Sequence, residues 1–246
     1  RVAQNVDLDA VMEIAGQTSI DPMTASGNEP HNETFRLGIA RDAAFGFYYP
    51  DDIETFRNNG AEIVQFDTLN DSSLPKVDAL FIGGGFPETH LDALNANKSM
   101  RESIKQAIES GMPAYAECGG LMYLSRSIQW GDKKMEMVGA IPGDSLMHDQ
   151  SVGRGYTHYS PTQNHPWNML DFTPQTPVHA HEFHYSSLEN IATDSNYGYE
   201  MIRGSGIGNG VDGICHNRLI ATYIHQRQTG QNLWVDAFCN YIKQHI

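Results

Sequence analysis

The sequence predicts an α/β fold with an open, mostly parallel sheet and helices on both of its faces. Short apolar runs that are typical of buried strands alternate with stretches of helical character, which is the pattern of strand–helix–strand units. One of these strands runs directly into Gly83-Gly84-Gly85, a glycine turn at the carboxyl edge of the sheet, where the sites of α/β proteins form. The predicted early strands are Leu37–Ala40, Ala61–Phe66, Ala79–Ile82 and Pro113–Ala116.

The remaining elements follow in chain order. The predicted helices are Asp51–Asn59, Leu91–Ser110 as one or two helices, Gly119–Ser127 and a closing helix at Asn232–Gln244. Beyond Trp130 the pattern becomes β-rich, and late strands are predicted at Val178–Tyr185 and Leu219–His225.

The composition fits a globular chain of 246 residues and excludes several classes of function. A net charge of −14, from 16 basic and 30 acidic residues, argues against a basic surface for nucleic acid. No run of about 18 apolar residues occurs, so no membrane span is predicted. Three cysteines are too few for a disulfide framework or a zinc site. With no visible signal peptide, the expected compartment is the reducing cytoplasm.

The first 34 residues are expected to lie outside the main domain. Residues 1–16 carry a short amphipathic pattern that Asp7 or Asp9 can cap. Residues 17–34 are polar and rich in Thr, Ser, Pro and Asn, as linkers are. A helix followed by a linker is typical of the tail of a preceding domain, so we expect a tail and linker over residues 1–34 and the main domain over residues 35–246.

Cys118 lies where an apolar strand meets two glycines and a helix, in Pro113-Ala-Tyr-Ala-Glu-Cys118-Gly-Gly-Leu-Met. The small residues Ala116 and Gly120 on either side permit a nucleophile elbow, a tight turn that lifts a reactive side chain out of the sheet. At the start of a helix the dipole favours a thiolate, and the backbone N–H of Gly119 is placed to stabilise an oxyanion. The local alternative is an inert core thiol, since cysteine is often buried.

Two further elements complete a candidate catalytic site. Gly84 or Gly85 can supply the second oxyanion N–H, because glycine lets the backbone approach a ligand closely; the glycine triplet by itself is equally consistent with a plain turn. His225 ends the apolar run Leu219–Ile224, where it can reach a nucleophile on a neighbouring strand and take its proton. Taken alone, a histidine in this position is also consistent with a structural role.

The histidine-rich segment Val178-His-Ala-His-Glu-Phe-His184 invites a metal interpretation. In a strand, however, His179 and His181 share one face and His184 takes the other. Three ligands split in this way cannot converge on one ion, so no metal site is predicted. The segment is better explained as a polar strand near the site, with Glu182 available to orient another group.

A second glycine-rich stretch, Gly204-Ser-Gly-Ile-Gly-Asn-Gly210, resembles a nucleotide-binding fingerprint. It lacks the strand-then-helix context that such a fingerprint requires, and it predicts a flexible turn before Val211–Cys215. No GxxxxGK[ST] occurs in the sequence, so no Walker loop is predicted.

Together these pieces resemble the glutaminase domain of the cobyrinic acid a,c-diamide synthase family, in the cobyrinic/cobyric branch of the class I glutamine amidotransferases. The matching segments follow the family's order and cover nearly the whole chain after residue 35. They are Ala40-Arg-Asp-Ala-Ala-Phe, Phe47-Tyr-Tyr-Pro-Asp, Gly83-Gly-Gly-Phe-Pro-Glu, Ala116-Glu-Cys-Gly-Gly-Leu-Met-Tyr-Leu, His181-Glu-Phe-His-Tyr-Ser and Ala221-Thr-Tyr-Ile-His225. Val6-Asp-Leu-Asp-Ala-Val also resembles the end of the ATP-dependent synthetase domain that precedes this domain in the family.

The resemblance implies a class I glutamine amidotransferase-like fold and an enzyme that hydrolyses glutamine. It implies that Cys118 is the nucleophile and His225 its base. The oxyanion hole implied by the resemblance is formed by Gly84, Gly85 and Gly119. The residues expected to line the site are Glu88, Glu117, Glu182 and His184.

By the same resemblance, the ammonia serves the ATP-dependent amidation of tetrapyrrole carboxylates. The expected partners are glutamine, a tetrapyrrole acid and an N-terminal ATP-binding synthetase domain, on the same longer chain or on a separate subunit. No cofactor is expected in this chain, because ATP and Mg belong to the synthetase domain. Neither nucleic acid nor a membrane is an expected partner.

Two departures from the family pattern leave the substrate open. The family's last motif usually carries a second histidine two residues after the base, where this chain has Arg227, and the stretch Gly153–His158 is not typical of the family. This branch often lacks the acidic third member of the triad, so no carboxylate is assigned that role. The alternatives are a sirohaem or sirohydrochlorin amidase of the same family, a cysteine peptidase or deglycase on the same fold, and a non-enzymatic binding subunit.

Overall fold

The computed structural model describes residues 6–17, 34–167, 169 and 177–246. The chain divides into two units, Arg1–His31 and Asn32–Ile246. In the first unit, helix α1 (Leu8–Gly16) begins where the Asp7 carboxylate accepts a hydrogen bond of 3.1 Å from a backbone N–H of the first turn. Asp7, one of the two predicted caps, therefore starts this helix. The predicted linker lies almost entirely outside the described residues.

The described part of the second unit contains helices and strands in alternation, followed by a β-rich half. Its helices are α2 (Pro50–Asn58), α3 (Leu91–Ala96), α4 (Lys98–Glu109), α5 (Gly119–Leu124) and α6 (Trp234–Lys243), with a 3₁₀ turn at Pro87–His90. Its strands are β1 (Phe35–Ala40), β2 (Phe45–Phe47), β3 (Ala61–Phe66), β4 (Ala79–Ile82), β5 (Gly84–Gly85), β6 (Ala114–Glu117), β7 (Ser127–Trp130), β8 (Lys133–Glu136), β9 (Asp144–Met147), β10 (Gly153–Pro161), β11 (Val178–His184), β12 (Ser186–Glu189), β13 (Asn196–Arg203), β14 (Val211–His216), β15 (Leu219–Thr222) and β16 (Ile224–His225). Within the described ranges, no helix is long and apolar enough to cross a membrane.

The main sheet has ten strands in the order β16-β11-β10-β13-β14-β15-β6-β4-β1-β3. The strands β15, β6, β4, β1 and β3 pair in parallel. The remaining pairs of this sheet are antiparallel, namely β15 with β14, β14 with β13, β13 with β10, β10 with β11 and β11 with β16. They belong to the β-rich half that the sequence predicts after Trp130. Two smaller sheets have the orders β12-β9-β7-β8 and β2-β5.

Helices cover both faces of the parallel strands. Along β4, Leu80 and Ile82 join a buried cluster with residues of α4 and α5, whereas Ala79 and Phe81 join a second cluster with residues of α2 and α6. A parallel strand buried on both faces carries an unbroken apolar run, which is what made β4 visible in the sequence. The predicted α/β architecture with helices on both faces is confirmed.

The structure decides one helix prediction that the sequence left open and corrects the end of another. The stretch Leu91–Ser110 forms two helices because Asn97 interrupts it: its side chain accepts a hydrogen bond from Met100 N at 3.4 Å and caps α4. The same side chain donates to the carbonyls of Thr68 and Asp71, both at 2.9 Å. The helix predicted to reach Ser127 ends at Leu124, since β7 begins at Ser127.

The predicted strand Leu219–His225 is two strands, because the chain changes its pairing partner at Tyr223. β15 pairs in parallel with β6, whereas β16 pairs antiparallel with β11. At the break, the buried Asp212 carboxylate accepts hydrogen bonds from Tyr223 N and Ile224 N, both at 3.1 Å, in place of strand partners. The break carries His225 across to a position opposite His181.

Candidate active site

Cys118 occupies a strained turn between β6 and α5. Its backbone has φ 47° and ψ −102°, a conformation that costs a non-glycine residue on the order of 1–3 kcal/mol. Cys118 N donates to the Thr222 carbonyl at 2.7 Å, and Met122 N donates to the Cys118 carbonyl at 3.0 Å. The surrounding sheet and helix thus hold the strain, and the strand–turn–helix geometry predicted for Cys118 is confirmed.

The turn leaves no room for a side chain at the two glycines after Cys118. A Cβ added to Gly119 would lie 2.9 Å from both the backbone N and O of Gly85, and one added to Gly120 would lie 2.1 Å from the Ile82 carbonyl oxygen. Gly85 is confined in turn, since its own added Cβ would lie 1.9 Å from the Ala44 carbonyl oxygen. The start of α5 therefore packs directly on the backbone that follows β4, which only glycine permits.

The glycines predicted to surround an oxyanion lie together at the carboxyl edge of the parallel strands. Gly85 lines the same cavity as Cys118, and Gly119, the first residue of α5, packs against the Gly85 backbone. Gly84 instead faces the predicted base, because an added Cβ would lie 2.7 Å from His225 Cε1. Gly85 and Gly119 are thus beside the thiol, and Gly84 is against the imidazole.

A cavity of about 450 Å³ opens onto Cys118. This volume falls within the range of small-molecule sites. The Cys118 thiol faces the Phe183 carbonyl oxygen at 3.8 Å. The cavity is lined by Gly46, Phe47, Tyr48, Tyr49, Gly85, Phe86, Cys118, His181, Phe183 and His225. The predicted nucleophile and the predicted base therefore face one small cavity.

His225 is buried, and its imidazole lies between the thiol and a carboxylate. Its Nδ1 atom is 3.5 Å from Glu117 Oε2. Burial alone would lower the pKa of His225, but interactions with Cys118 and Glu117 outweigh burial and raise it well above its usual value. The imidazole can therefore hold a proton beside a thiolate.

A buried network of polar side chains around Gln226 supports the positions of His225 and Glu117. Gln226, which follows His225, donates its backbone N–H to Glu117 Oε1 at 2.9 Å and a side-chain N–H to the Tyr115 hydroxyl at 3.0 Å. The Gln226 amide oxygen accepts hydrogen bonds from Tyr159 and Asn232. These hydrogen bonds tie the segment that carries His225 to Glu117 and Tyr115 of β6 and to Tyr159 of β10.

Sequence reasoning missed two carboxylates of this framework. It named Glu117 only as a residue lining the site, and it did not single out Asp212. Asp212 accepts hydrogen bonds from Thr222 Oγ1 and Gly213 N, both at 2.7 Å, besides those at the strand break. Only the position of Glu117 directly before Cys118 pointed to the site, and no sequence pattern marks Asp212.

Three of the residues expected to line the site lie away from the thiol. The Glu182 carboxylate accepts hydrogen bonds from Ser205 N at 2.7 Å and Gly206 N at 2.9 Å, and it lies 3.5 Å from His184 Nε2. His184 is buried against Tyr223, with 4.0 Å between the ring centroids. Glu88 lies in the 3₁₀ turn after β5 and is not part of the cavity lining.

The Glu182 contacts also explain the second glycine-rich stretch. The predicted turn is confirmed, since it joins β13 to β14. Four of its glycines have positive φ, namely Gly204, Gly206, Gly208 and Gly210. The two hydrogen bonds to Glu182 fasten one side of this turn to β11, so the connection is anchored there, whereas the sequence predicted a flexible turn.

A larger cavity of about 890 Å³ adjoins the first one. The two share Tyr49, His181, Phe183 and His225. His181 stacks on His225 with 5.0 Å between ring centroids, and burial, followed by the nearby His225 charge, lowers the pKa of His181. His181 thus stands as a neutral side chain where the two cavities meet.

The histidine-rich segment follows the predicted alternation. His179 and His181 point to the open side of β11, whereas His184 is buried on the other face. Within residues 6–17, 34–167, 169 and 177–246, no group of three or more His, Cys, Asp or Glu side chains could hold a metal ion.

Comparison with known proteins identifies the family. Residues 36–232 match the model of the CobB/CobQ-like glutamine amidotransferase domain. The cobyrinate a,c-diamide synthase of Magnetococcus marinus is 36% identical over 249 residues, an alignment that covers 98% of this chain and 52% of the relative. The cobyrinate a,c-diamide synthase of Picrophilus torridus is 40% identical over 226 residues, covering 91% of this chain and 48% of the relative. The chain spans about half the length of the curated relatives it matches.

Solved structures support the fold. PurLQS from Thermotoga maritima superposes with a TM-score of 0.62 at 13% identity, over 85% of this chain and 97% of that chain. A crystal structure of a glutamine amidotransferase superposes with a TM-score of 0.57 at 12% identity, over 84% of this chain and 98% of that chain. At these identities the likeness shows the fold alone, and it confirms the predicted amidotransferase-like architecture. Since the family model covers most of the chain and the relatives are more than a third identical, the chain belongs to the family of CobB/CobQ-like glutamine amidotransferase domains and is an enzyme domain of that class.

Proposed function

We propose that this chain hydrolyses glutamine at Cys118 and supplies the ammonia for ATP-dependent amidation of a tetrapyrrole acid, in the manner of cobyrinic acid a,c-diamide synthesis. One observation carries the proposal. A strained cysteine at the end of a central parallel strand shares a cavity of about 450 Å³ with a buried histidine that can hold a proton.

In the first half of the reaction, His225 takes the proton of the Cys118 thiol, and the thiolate attacks the side-chain carbonyl carbon of glutamine. The carbonyl oxygen becomes an oxyanion, for which the backbone N–H groups of Gly85 and Gly119 are the nearest candidates. Each such donor contributes on the order of 3–4 kcal/mol. The C–N bond then breaks, and His225 returns its proton to the leaving ammonia.

In the second half, water attacks the thioester carbon. His225 accepts a proton from this water, a second oxyanion forms at the same position, and the C–S bond breaks. Glutamate leaves, and Cys118 regains its proton from His225. Because each step uses the same donors, their positions near the thiol serve both halves of the reaction.

The acceptor reaction belongs to a second domain in this proposal. The curated relatives are named cobyrinate a,c-diamide synthase, and this chain corresponds to about half of their length. We infer that an ATP-binding synthetase domain, on the same chain or on a separate subunit, activates a tetrapyrrole carboxylate with ATP and Mg²⁺. No step at Cys118 requires either of these. The tetrapyrrole itself, a cobyrinic acid or a sirohydrochlorin-type acid, is the point that the experiment must decide.

The test measures glutamate release by the chain, first alone and then with a synthetase domain, ATP, Mg²⁺ and each tetrapyrrole acid. His225→Ala should lower kcat by about 10²–10⁴-fold, the usual range for loss of general acid–base catalysis. Cys118→Ala should abolish turnover, whereas the matched thiol variant Cys215→Ala should retain it. Turnover that survives Cys118→Ala would refute the assignment. If an amide forms on sirohydrochlorin but not on cobyrinic acid, the substrate is a sirohydrochlorin-type acid and not cobyrinic acid.

A further inference from the structure

Glu117, the residue immediately before the nucleophile, faces the base. We propose that Glu117 is a positioning residue whose carboxylate fixes the tautomer and orientation of His225, so that Cys118, His225 and Glu117 work as a triad. This inference rests on the proposed function and deepens it. The strand end that carries the nucleophile also carries the group that orients its base.

The two oxygens of the Glu117 carboxylate have different partners. Oε1 accepts hydrogen bonds from the Tyr115 hydroxyl at 2.8 Å and from Gln226 N at 2.9 Å. Oε2 lies 3.5 Å from His225 Nδ1. Because Oε1 is held at two points, Oε2 is directed at the imidazole. A carboxylate in this position favours a proton on Nδ1, which leaves Nε2 free to take the thiol proton.

Burial makes this contact strong. The Glu117 residue is 3% exposed, and a buried carboxylate is costly unless it is paired and hydrogen-bonded. An imidazolium at His225 supplies the opposite charge, and the Tyr115 and Gln226 donors supply the hydrogen bonds. The charged form of His225 is therefore stabilised by a group whose position the fold fixes.

The other carboxylates near this segment are engaged elsewhere. Glu182 accepts from the backbone of residues 205–206 and faces His184. Asp212 accepts from the backbone at Tyr223 and Ile224. Arg227, two residues after the base, pairs with Asp51 at 2.6 Å. Among the described residues, Glu117 is thus the carboxylate that the structure places against His225.

The sign of the expected pH effect follows from the groups around the imidazole. Those groups are Cys118, Glu117 and the stacked His181. Interactions with Cys118 and Glu117 raise the pKa of His225, whereas His181, whose own pKa is lowered, stays neutral. Removing the Glu117 charge should lower the pKa of His225 and so move the alkaline limb of activity to lower pH.

The experiment compares the wild-type chain with Glu117→Gln, Glu117→Asp and Glu182→Gln. Glu182 provides a matched control because it is equally buried, at 3% exposure, and lies at the same 3.5 Å from a histidine nitrogen. Two quantities are measured against pH: kcat and KM for glutamine, and the rate at which iodoacetamide alkylates Cys118. Thermal melting of each variant reports folding separately.

We expect Glu117→Gln to lower kcat by about 10²-fold with little change in KM, as for loss of an acid–base element. Its alkaline limb should move down by about 1–3 pH units, the range for a close opposite charge. Glu117→Asp should recover part of both effects, and Glu182→Gln should keep the wild-type pH profile even where it lowers stability. Near-normal kcat with an unmoved profile in Glu117→Gln would overturn the proposal. So would equal losses in Glu117→Gln and Glu182→Gln without any shift in pH profile.

Two provisions keep the test decisive. If the chain shows no glutaminase activity either alone or with the synthetase domain, ATP, Mg²⁺ and a tetrapyrrole acid, the proposed function fails, but the alkylation profiles of Cys118 still show whether Glu117 acts on His225. If Glu117→Gln does not fold, Tyr115→Phe removes one of the hydrogen bonds that fix the carboxylate. That variant should shift the profile in the same direction by less, and an unshifted profile would count against the proposal.

Discussion

Replacing Gly120 by alanine tests the contact on which the nucleophile turn depends. The new Cβ would lie 2.1 Å from the carbonyl oxygen of Ile82 and 3.1 Å from its Cγ2 atom. The clashing oxygen belongs to the backbone of a central parallel strand, which cannot move without disturbing its neighbours β1 and β6. Overpacking of this kind costs about 1–3 kcal/mol, and we expect about 3 kcal/mol here, or a fall in Tm of roughly 6–12 °C for a chain of this size.

Urea unfolding, followed by tryptophan fluorescence, measures this loss, since Trp234 is fully buried between α6 and the sheet. Below the transition, Gly120→Ala should also slow labelling of Cys118 by diazo-oxo-norleucine, because α5 must shift to relieve the clash. The control is Gly230→Ala, whose added Cβ meets no atom within 4 Å and which should stay within about 0.5 kcal/mol of wild type. A Gly120→Ala variant as stable and as reactive as this control would refute the packing argument.

Three further outcomes are expected. Diazo-oxo-norleucine should label Cys118 and leave Cys215 and Cys239 unmodified, because burial raises the pKa of Cys215 to about 12 and that of Cys239 further; mass mapping that finds the label on either of the latter would contradict this. Cys118→Gly should be more stable than Cys118→Ala by about 1 kcal/mol, because glycine relieves the positive φ. In contrast, Ala107→Gly within α4 should lose about 1 kcal/mol, and the same sign at both positions in urea unfolding would argue against strain. Burial raises the pKa of Asp52 to about 7, so its folded form keeps a proton longer than its unfolded form. Stability should therefore fall as pH rises from about 5 to about 8, and Asp52→Asn, which keeps an acceptor for the Gln228 backbone, should show a smaller fall; equal slopes would exclude Asp52 as the cause.

The local sequence was sufficient to predict the parallel half of the sheet and the nucleophile turn. The strand Ala79–Ile82 is buried on both faces, so its whole length is apolar, and Gly83 marks its end. At the elbow, the pattern Ala116-Glu-Cys-Gly-Gly120 records a steric requirement, since a Cβ on either glycine meets backbone atoms. Where one backbone segment packs directly on another, only small residues fit. Their presence can be recognised in the sequence without knowledge of the fold.

The boundaries in the β-rich half were harder to predict. The run Leu219–His225 is mostly apolar and contains no glycine or proline to mark a break, yet the chain changes its pairing partner at Tyr223. The break depends on Asp212, which lies on the preceding strand and satisfies the two N–H groups that lose their strand partners. A hydrogen bond between residues on different strands does not change the local pattern of apolar and polar residues, so this break could not be predicted from that pattern.

The sequence by itself predicted Cys118, His225 and the glycines beside the thiol as parts of one site, because each stands in a local pattern that its chemistry demands, and the structure places Cys118, His225 and Gly85 around one cavity. Only the tertiary structure decided which carboxylate lies against His225. Glu117 and Glu182 are both acidic, both adjacent to recognisable motifs and both buried, and nothing in their neighbours along the chain distinguishes them. The strand order does: β15 and β6 lie side by side, so the segment after β15 places His225 over the end of β6 and next to Glu117. Glu182, across from Ile224 on β11, points to the opposite face and pairs with His184 instead.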